Sequence, residues 1–163
     1  NRRCMKEITI SSQVQVYENE EELSQIEREL LKKADEARMK AYAPYSNFRV
    51  GAAVLLKNGE IVTGNNQENA SYPTGLCAER VALFATASQN PEIAVDAIAV
   101  ISDYDGDSPA SPCGSCRQVI FEYEHLHKNN IKVYLKNPNG SVYVIPSALQ
   151  LLPFGFHADF LKG

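Results

Sequence analysis

The chain has 163 residues, of which 44% are hydrophobic and 22% charged, and its formal net charge is −4 at pH 7. This length suits one domain that buries about 70% of the surface of its unfolded chain, and the composition excludes a disordered or fibrous protein. Basic residues are mixed with acidic ones, which disfavours a nucleic-acid partner, and the apolar runs are far shorter than the roughly 20 residues of a membrane span. We therefore expect a globular, cytoplasmic protein without a nucleic-acid or membrane partner. The sequence leaves open a targeting segment that has been removed, because Asn1 is not a start residue.

The first predicted element is a helix. Between Glu20 and Ala43 apolar residues recur at helical spacing, and charged residues fill the other faces. Pro44 cannot continue such a helix, so the pattern predicts an amphipathic helix that ends before it. The apolar positions are Leu23, Ile26, Leu30, Ala34, Ala37 and Ala41.

A β-hairpin is predicted next. The segment "FRVGAAVLLKNGEIVTGNN" contains two extended runs joined at Asn58-Gly59, which is a strong signal for a tight turn. Both faces of the first run, from Val50 to Leu56, are apolar. This strand is therefore expected in the interior of a sheet that is covered on both faces.

The remaining elements alternate between helix and strand. The pattern predicts helices in "CAERVALFATASQN" and "CRQVIFEYEHL", a strand in "AVDAIAVISD" between them, and two strands in "IKVYLKNPNGSVYVIP". A short helix from Ser147 to Leu152 and an aromatic tail follow. This order predicts an α/β fold, a three-layer sandwich in which helices cover both faces of one mixed five-stranded sheet.

Three cysteines form the candidate metal site. Cys77, Cys113 and Cys116 all fall at the first turn of a predicted helix, where the helix dipole favours the thiolate that binds metal. Three thiolates suit tetrahedral zinc and leave one coordination position for water or substrate, as in catalytic zinc sites. Cys4 is a fourth, less favoured donor. The CxxC spacing of Cys113 and Cys116 alone also fits a disulfide or a redox pair.

An acidic residue accompanies these cysteines. Glu79 follows Cys77 by two positions, close enough on a helix to contact water at the metal, while the cysteines already supply the ligands. Glu79 can therefore act as a base. Without the cysteines, an acid at a helix N-terminus would be read as a favourable interaction with the helix dipole.

The motifs "CAER" and "PCGSC" together resemble the signature of zinc-dependent cytidine deaminases. The segments "YSNFRVGAAV", "NNQENASYPTGLCAER", "SPCGSCRQVIFE" and "LLPFGF" are similar to the small, homotetrameric class that acts on free nucleosides, over residues 41–156. The resemblance implies a cytidine deaminase-like fold in residues 20–163, preceded by an extension of unknown role in residues 1–19. It implies one Zn²⁺ per chain, a nucleoside substrate and active sites shared between subunits.

The same resemblance implies a mechanism and roles for single residues. Zinc-bound hydroxide attacks C4 of cytidine or 2′-deoxycytidine in pyrimidine salvage, Glu79 transfers the protons, and Arg80 donates to a cysteine sulfur. Asn66 and Glu68 lie two positions apart at a strand end and are expected to hold ribose hydroxyls. The other expected substrate contacts are Phe48, Ala70, Tyr72, Ala78 and Phe156, of which Ala70, Tyr72 and Phe156 reach a neighbouring subunit.

Several alternatives stay open at the level of sequence. A disulfide or redox pair predicts two-electron chemistry without metal, and a structural zinc module would be indifferent to the replacement of Glu79. An interaction protein with a degenerate site is the alternative without enzymatic activity. Among deaminases, enzymes that act on blasticidin S or on polynucleotides are the nearest competitors.

Overall fold

The structure is a computed structural model that describes residues 5–162, so Cys4 lies outside the described residues. It contains three α-helices and six strands. The helices are α1 (Gln25–Arg38), α2 (Ala78–Gln89) and α3 (Gly114–His127). The strands are β1 (Gln15–Tyr17), β2 (Val50–Leu56), β3 (Ile61–Asn65), β4 (Val95–Ser102), β5 (Lys132–Lys136) and β6 (Val142–Ile145). Within residues 5–162, no helix is both long and apolar enough to cross a membrane.

The six strands form one mixed sheet in the order β1-β6-β5-β4-β2-β3. Among the strands described in residues 5–162, β4 and β5 are the one parallel pair of neighbours, and α3 forms the crossover between them. The hairpin of β2 and β3 turns through Gly59, whose φ of 87° lies in the left-handed region that glycine adopts without strain. Strand β2 is buried from Gly51 to Leu56 and pairs on both edges, as its apolar sequence predicts.

Helices cover both faces of the sheet, which confirms the three-layer prediction. Helix α1 buries Leu30, Leu31 and Ala34 on one face, against side chains such as Ala53 and Ala99 of β2 and β4. The opposite face is covered by α2 and α3, whose buried residues include Ala82, Leu83 and Ile120. Burying each large aliphatic side chain contributes about 1.5–3 kcal/mol, so the two apolar layers hold the sandwich together.

The predicted strand count was wrong, because the sheet has six strands rather than five. The additional strand, β1, belongs to the N-terminal extension, and it pairs antiparallel with β6 at the edge of the sheet. Only three residues pair, and their side chains are mostly exposed. Polar and apolar residues alternate around it in "QVQVY", Gln13–Tyr17, but this run is too short to have been assigned as a strand from periodicity.

The first helix is shorter than predicted. It begins after Ser24, whose backbone N–H is accepted by the Glu27 carboxylate at 2.8 Å in a capping box, and it ends at Arg38. Beyond it, the Tyr42 N–H donates to the Asn66 carbonyl at 3.0 Å, and the Tyr42 carbonyl accepts from the Glu68 N–H at 2.9 Å. These backbone bonds draw the chain away from the helix well before Pro44. The segment predicted as a helix at Ser147 is a single 3₁₀ turn, Ala148–Gln150.

Candidate active site

The three cysteines meet because two helices begin side by side on one face of the sheet. Cys77 is the N-cap residue of α2, Cys113 is the N-cap residue of α3, and Cys116 lies in the first turn of α3. Helix α2 approaches the sheet closely, since a Cβ atom on Gly64 of β3 would lie 2.4 Å from the Ala82 nitrogen. The predicted placement of all three cysteines at helix starts is confirmed.

The sulfur atoms fit a tetrahedral metal. The Sγ atoms of Cys77, Cys113 and Cys116 all lie within 4.8 Å of one another, and those of Cys77 and Cys113 are 3.9 Å apart. Two thiolates bound to zinc at about 2.3 Å with a tetrahedral angle are about 3.8 Å apart. All three are free thiols, so none of these described cysteines is in a disulfide. The donor set and its spacing therefore fit one zinc ion.

The surroundings of Cys77 favour its thiolate. Hydrogen bonds from the Cys116 thiol, and then from Arg80 and Cys113, lower the pKa of Cys77 to about 5, against the opposing effect of burial. The hydrogen bond to Cys77 and burial raise the pKa of Cys116. An Nη2 atom of Arg80 lies 3.8 Å from the Cys77 sulfur, as the predicted role requires. Of Cys77 and Cys116, Cys77 is therefore the thiol that ionises more readily.

Glu79 is buried beside this cluster. It is the second residue of α2, and only 4% of it is exposed. Burial raises the pKa of its carboxyl, and the negative charge of Cys77 raises it further. A carboxyl group held in this way exchanges protons more readily near neutral pH than an exposed one. Glu79 therefore has the environment of a proton-transfer group.

A cleft of about 500 Å³ opens beside the cysteine cluster. This volume lies within the range of small-molecule sites. Cys77 and Arg80 contribute to its lining, whereas Cys113, Cys116 and Glu79 do not. The remaining lining residues are Tyr45, Ser46, Asn66, Gln67, Glu68, Asn69, Tyr72, Gly75 and Leu76.

Glu68 presents a fixed negative charge to the cleft. Its carboxylate accepts hydrogen bonds from the Tyr45 N–H at 2.9 Å, from the Ser46 N–H at 3.2 Å and from the Ser46 hydroxyl. The hydroxyl hydrogen bond and the two backbone hydrogen bonds lower the pKa of Glu68. The ionised carboxylate keeps free lone pairs for further hydroxyl donors.

Asn66 lines the same cleft and also holds the chain near Phe48. Its Oδ1 atom accepts from the Val50 N–H at 2.8 Å, and its Nδ2 atom donates to the Phe48 carbonyl at 2.9 Å. The amide retains one N–H donor and one acceptor lone pair for a ligand. Sequence spacing predicted that Asn66 and Glu68 share one site, and both line the cleft.

Four other residues expected near the substrate do not line this cleft. Ala78 is fully buried in the core at the start of α2, and Phe48 is 38% exposed. Ala70 is exposed. Phe156 is 54% exposed, and its backbone is held by the Gln118 side chain on α3, with the Gln118 Nε2 atom donating to its carbonyl at 2.7 Å.

Two functional features were missed in the sequence. Tyr45 and Ser46 orient the Glu68 carboxylate, yet they lie 22 or more residues away from it. Arg117 fixes the loop before Cys113, because its guanidinium donates to the Pro112 and Leu151 carbonyls at 2.7 and 3.0 Å. The basic residue directly after the CxxC pair was the only local signal for the second feature.

Comparison with known proteins identifies the family. The sequence model described as "Cytidine and deoxycytidylate deaminase zinc-binding region" matches residues 24–131. The chain belongs to this family. The cytidine deaminase of Halalkalibacterium halodurans is 47% identical over 130 residues, which cover 80% of this chain and 93% of that protein. The cytidine deaminase of Sporosarcina psychrophila is 41% identical over 133 residues, covering 82% and 93%.

A solved structure supports the same family and fold. The crystal structure of cytidine deaminase from Burkholderia pseudomallei aligns with a TM-score of 0.69 at 47% identity, covering 79% of this chain and 98% of that one. The resemblance drawn from the cysteine motifs is thus confirmed. Membership of a zinc-binding deaminase family, together with the spacing of the three sulfurs, also confirms zinc as the cofactor.

Proposed function

We propose that this cytidine deaminase family member hydrolyses cytidine, and 2′-deoxycytidine, to the corresponding uracil nucleoside and ammonia. The observation that carries the proposal is the cluster of three cysteine sulfurs within 4.8 Å of one another. The buried Glu79 lies in the first turn of α2, two residues after Cys77, and Cys77 itself lines the adjacent cleft. The relatives that carry the name cytidine deaminase support it. No observation favours blasticidin S, polynucleotides or a redox reaction.

The cysteines would hold one zinc ion, which when bound acidifies a water molecule and so supplies a nucleophile near neutral pH. Glu79 takes a proton from the attacking water and delivers it to N3 of the pyrimidine. The water oxygen forms a bond to C4, and the bond from C4 to the exocyclic nitrogen breaks. Glu79 transfers the second water proton to the departing nitrogen, so one water is consumed and one ammonia is released.

The positive charge of Arg80 supports the cluster. Three thiolates holding one Zn²⁺ would carry a net charge of −1, which would make a bound water less acidic than in a site with neutral ligands. A hydrogen bond from Arg80 to Cys77 withdraws part of this charge. Groups that contact metal ligands in this way change metal affinity about 10- to 100-fold.

Glu68 and Asn66 are the proposed ribose contacts. The ionised Glu68 accepts hydrogen bonds from sugar hydroxyls, and the remaining Asn66 N–H donates to a sugar oxygen. Because a carboxylate needs only one hydroxyl to form such a contact, the 3′ hydroxyl of deoxycytidine satisfies it. Tyr72, which packs edge-on against Tyr45 with ring centroids 5.9 Å apart, lines one side of the cleft.

A homotetramer with shared active sites is the assembly that we propose. Phe156 lies outside the cleft of its own chain, and the tail exposes other large apolar groups, including Phe154 at 83% and Phe160 at 66%. Exposed apolar groups that cluster in this way mark protein interfaces. Ala70 and Tyr72, which are also exposed, would reach the neighbouring subunit, and Phe48 would pack against the pyrimidine.

Residues 20–163 are proposed as the catalytic domain, with residues 1–19 as an extension that contributes β1 to the sheet. We propose a cytoplasmic location. Three clustered free thiols persist as metal ligands in a reducing compartment, whereas oxidising compartments favour disulfides.

The decisive experiment follows the loss of cytosine absorbance by the zinc-loaded protein with cytidine, beside the variant Glu79→Gln. The variant keeps the size of the side chain but cannot transfer protons, so we expect kcat to fall by at least about 10²- to 10⁴-fold. Glu122→Gln, which changes an exposed carboxylate on α3, is the matched control and should retain full activity. Absence of turnover by the zinc-loaded wild type would overturn the proposal.

A further inference from the structure

A second cluster of potential metal ligands lies where the C-terminal tail crosses the end of α3. The side chains of His125, His157 and Asp159 each place one donor atom within 4.8 Å of the other two. His125 is near the end of α3, whereas His157 and Asp159 belong to the tail. The cluster therefore joins two parts of the chain that are 32 or more residues apart in sequence.

The tail is positioned over α3 by contacts that do not involve these three residues. Gln118 holds the backbone of Phe156 through two hydrogen bonds, of 2.7 and 3.3 Å. Gly155 lies against the ring of Phe121, where a Cβ atom would be 2.7 Å from the ring carbons. The glycine permits this close approach, which brings the following His157 to His125. Their imidazole rings stack with centroids 4.7 Å apart.

The distances between donor atoms match those of a metal site. His125 Nε2 lies 3.3 Å from Asp159 Oδ2, and His157 Nδ1 lies 3.7 Å from the same oxygen. Two ligands bound to zinc at about 2.1 Å with a tetrahedral angle are about 3.4 Å apart. Two imidazoles and one carboxylate are a donor set that divalent transition ions prefer.

One donor atom in the cluster lacks a partner. Within residues 5–162, His157 Nδ1 is buried and makes no hydrogen bond. The Asp159 carboxylate divides its contacts, since Oδ1 accepts from Lys162 Nζ at 2.7 Å while Oδ2 faces the two imidazoles. A buried polar atom without a hydrogen bond is costly, and an ion between the three side chains would remove that cost.

We propose that His125, His157 and Asp159 form a second metal site, which binds a divalent transition ion such as Zn²⁺ and fixes the C-terminal tail to α3. A cleft of about 860 Å³ adjoins the three residues, and all three are partly exposed, so an ion enters from solvent without unfolding. The site shares no residue with the cysteine cluster. Its existence is therefore independent of the proposed deaminase activity.

The ion would act on the tail rather than on the reaction. His157 is the N-cap residue of the 3₁₀ turn Ala158–Leu161, and its carbonyl accepts from the Phe160 N–H at 3.1 Å. Binding His157 and Asp159 to one ion fixes two residues of this turn, whose carbonyls accept from the Phe160 and Lys162 N–H groups. Phe156 directly precedes the site, so an occupied site also restricts the backbone that carries it.

The test is a Co²⁺ titration of the metal-free, reduced, full-length protein without a polyhistidine tag. Cobalt bound to thiolates gives a charge-transfer absorption that cobalt bound to imidazole and carboxylate lacks. We expect two equivalents to bind. One produces the thiolate absorption of the cysteine cluster, and the other adds only the weaker visible absorption of a nitrogen and oxygen site.

Matched variants assign the second equivalent. His125→Gln and His157→Gln should each reduce binding from two equivalents to one, with the thiolate absorption unchanged. That absorption reports that the fold around the cysteines is intact. His127→Gln, which removes the chain's third histidine from the same helix, should still bind two equivalents. One equivalent in the wild type, or two in the His125→Gln/His157→Gln double variant, would overturn the proposal.

Hydrogen exchange tests the effect on the tail. With the cysteine site already loaded, further Zn²⁺ should slow exchange of the Phe160 and Lys162 amides, which donate within this turn. The same addition should leave their exchange unchanged in His157→Gln. Equal protection in the wild type and in this variant would contradict a site at these residues.

Discussion

Arg80 provides the positive charge in contact with the Cys77 sulfur, and its Nε atom is buried without a hydrogen bond to residues 5–162. Replacing it with glutamine leaves the negative charge of three thiolates uncompensated. We expect Arg80→Gln to weaken zinc binding about 10- to 100-fold. Competition with a chromophoric chelator measures this change.

The control for Arg80 is Arg28→Gln, on the exposed face of α1. It should bind zinc as the wild type does. Zinc affinity of Arg80→Gln equal to that of the control would show that the contact with Cys77 does not tune the metal.

The carboxylate of Glu68 has two tasks, since it holds the Tyr45–Ser46 backbone and faces the cleft. A hydrogen bond to a charged group changes a binding constant roughly 10- to 150-fold. We expect Glu68→Gln to lower kcat/KM for cytidine by this factor, chiefly through KM. Steady-state kinetics with cytidine and deoxycytidine measure it.

Ser46→Ala separates the two tasks of Glu68. It removes the hydroxyl contact to the carboxylate but leaves the charge, so a smaller increase in KM is expected. Glu60→Gln, on the exposed hairpin, serves as the control without effect. An unchanged KM in Glu68→Gln would exclude this residue as a ribose contact.

The sequence predicted best those side chains whose relative positions are set within a single helical turn. Cys77 and Glu79 are two positions apart at a helix start, and so are constrained by one helical turn. The hydrogen bonds of the Asn66 side chain to the backbone of Phe48 and Val50 were not predictable, because an amide side chain gives no sign of which distant backbone groups it will bind. Ser46 was missed for the same reason, since its partner becomes a neighbour only through folding.

At the scale of elements, helix α3 is joined to β5 and to the turn Ala148–Gln150 by one buried carboxylate. Glu124 accepts hydrogen bonds from the Ile131 N–H at 2.7 Å, the Ser147 hydroxyl at 2.6 Å and the Ala148 N–H at 2.9 Å. In Glu124→Gln an NH₂ group, which is itself a donor, would replace one of the carboxylate oxygens that accept these hydrogen bonds. We expect the free energy of unfolding to fall by about 1–3 kcal/mol.

Urea denaturation measures the change at Glu124, with zinc held constant because a bound metal adds to stability. Glu122→Gln, two residues earlier on the exposed side of α3, should stay within about 0.5 kcal/mol of the wild type. A similarly small change in Glu124→Gln would mean that the buried carboxylate does not hold these elements together.

The elements that were predicted correctly are those with strong periodicity. Strand β2 is apolar on both faces, and α2 and α3 begin where their cysteine motifs place them. The end of α1 was misplaced because backbone pairing of Tyr42 with residues 66–68 overrides local helix preference. Strand β1 was missed because its alternating run, Gln13–Tyr17, is short and its ladder to β6 holds only three residues.

At the scale of the whole molecule, the proposed sharing of active sites makes catalysis depend on the tail. Phe156 lies outside the cleft of its own chain, so its action on substrate would require a neighbouring subunit. We expect Phe156→Ala to lower kcat/KM about tenfold or more, because an aromatic contact is lost from the substrate. Met39→Ala, at an exposed apolar side chain outside the tail, is the control for the kinetic effect.

Mixing two impaired variants tests the sharing itself. In a mixed oligomer of Glu79→Gln and Phe156→Ala, a site that combines the intact Glu79 of one chain with the intact Phe156 of the other is complete. Activity should therefore rise above that of either variant after subunits are exchanged under mild denaturation and refolded. If each chain used only its own Phe156, no mixture would contain a complete site, and activity would equal the weighted mean of the two variants. Analytical ultracentrifugation of the same samples would show whether the sharing occurs within a tetramer.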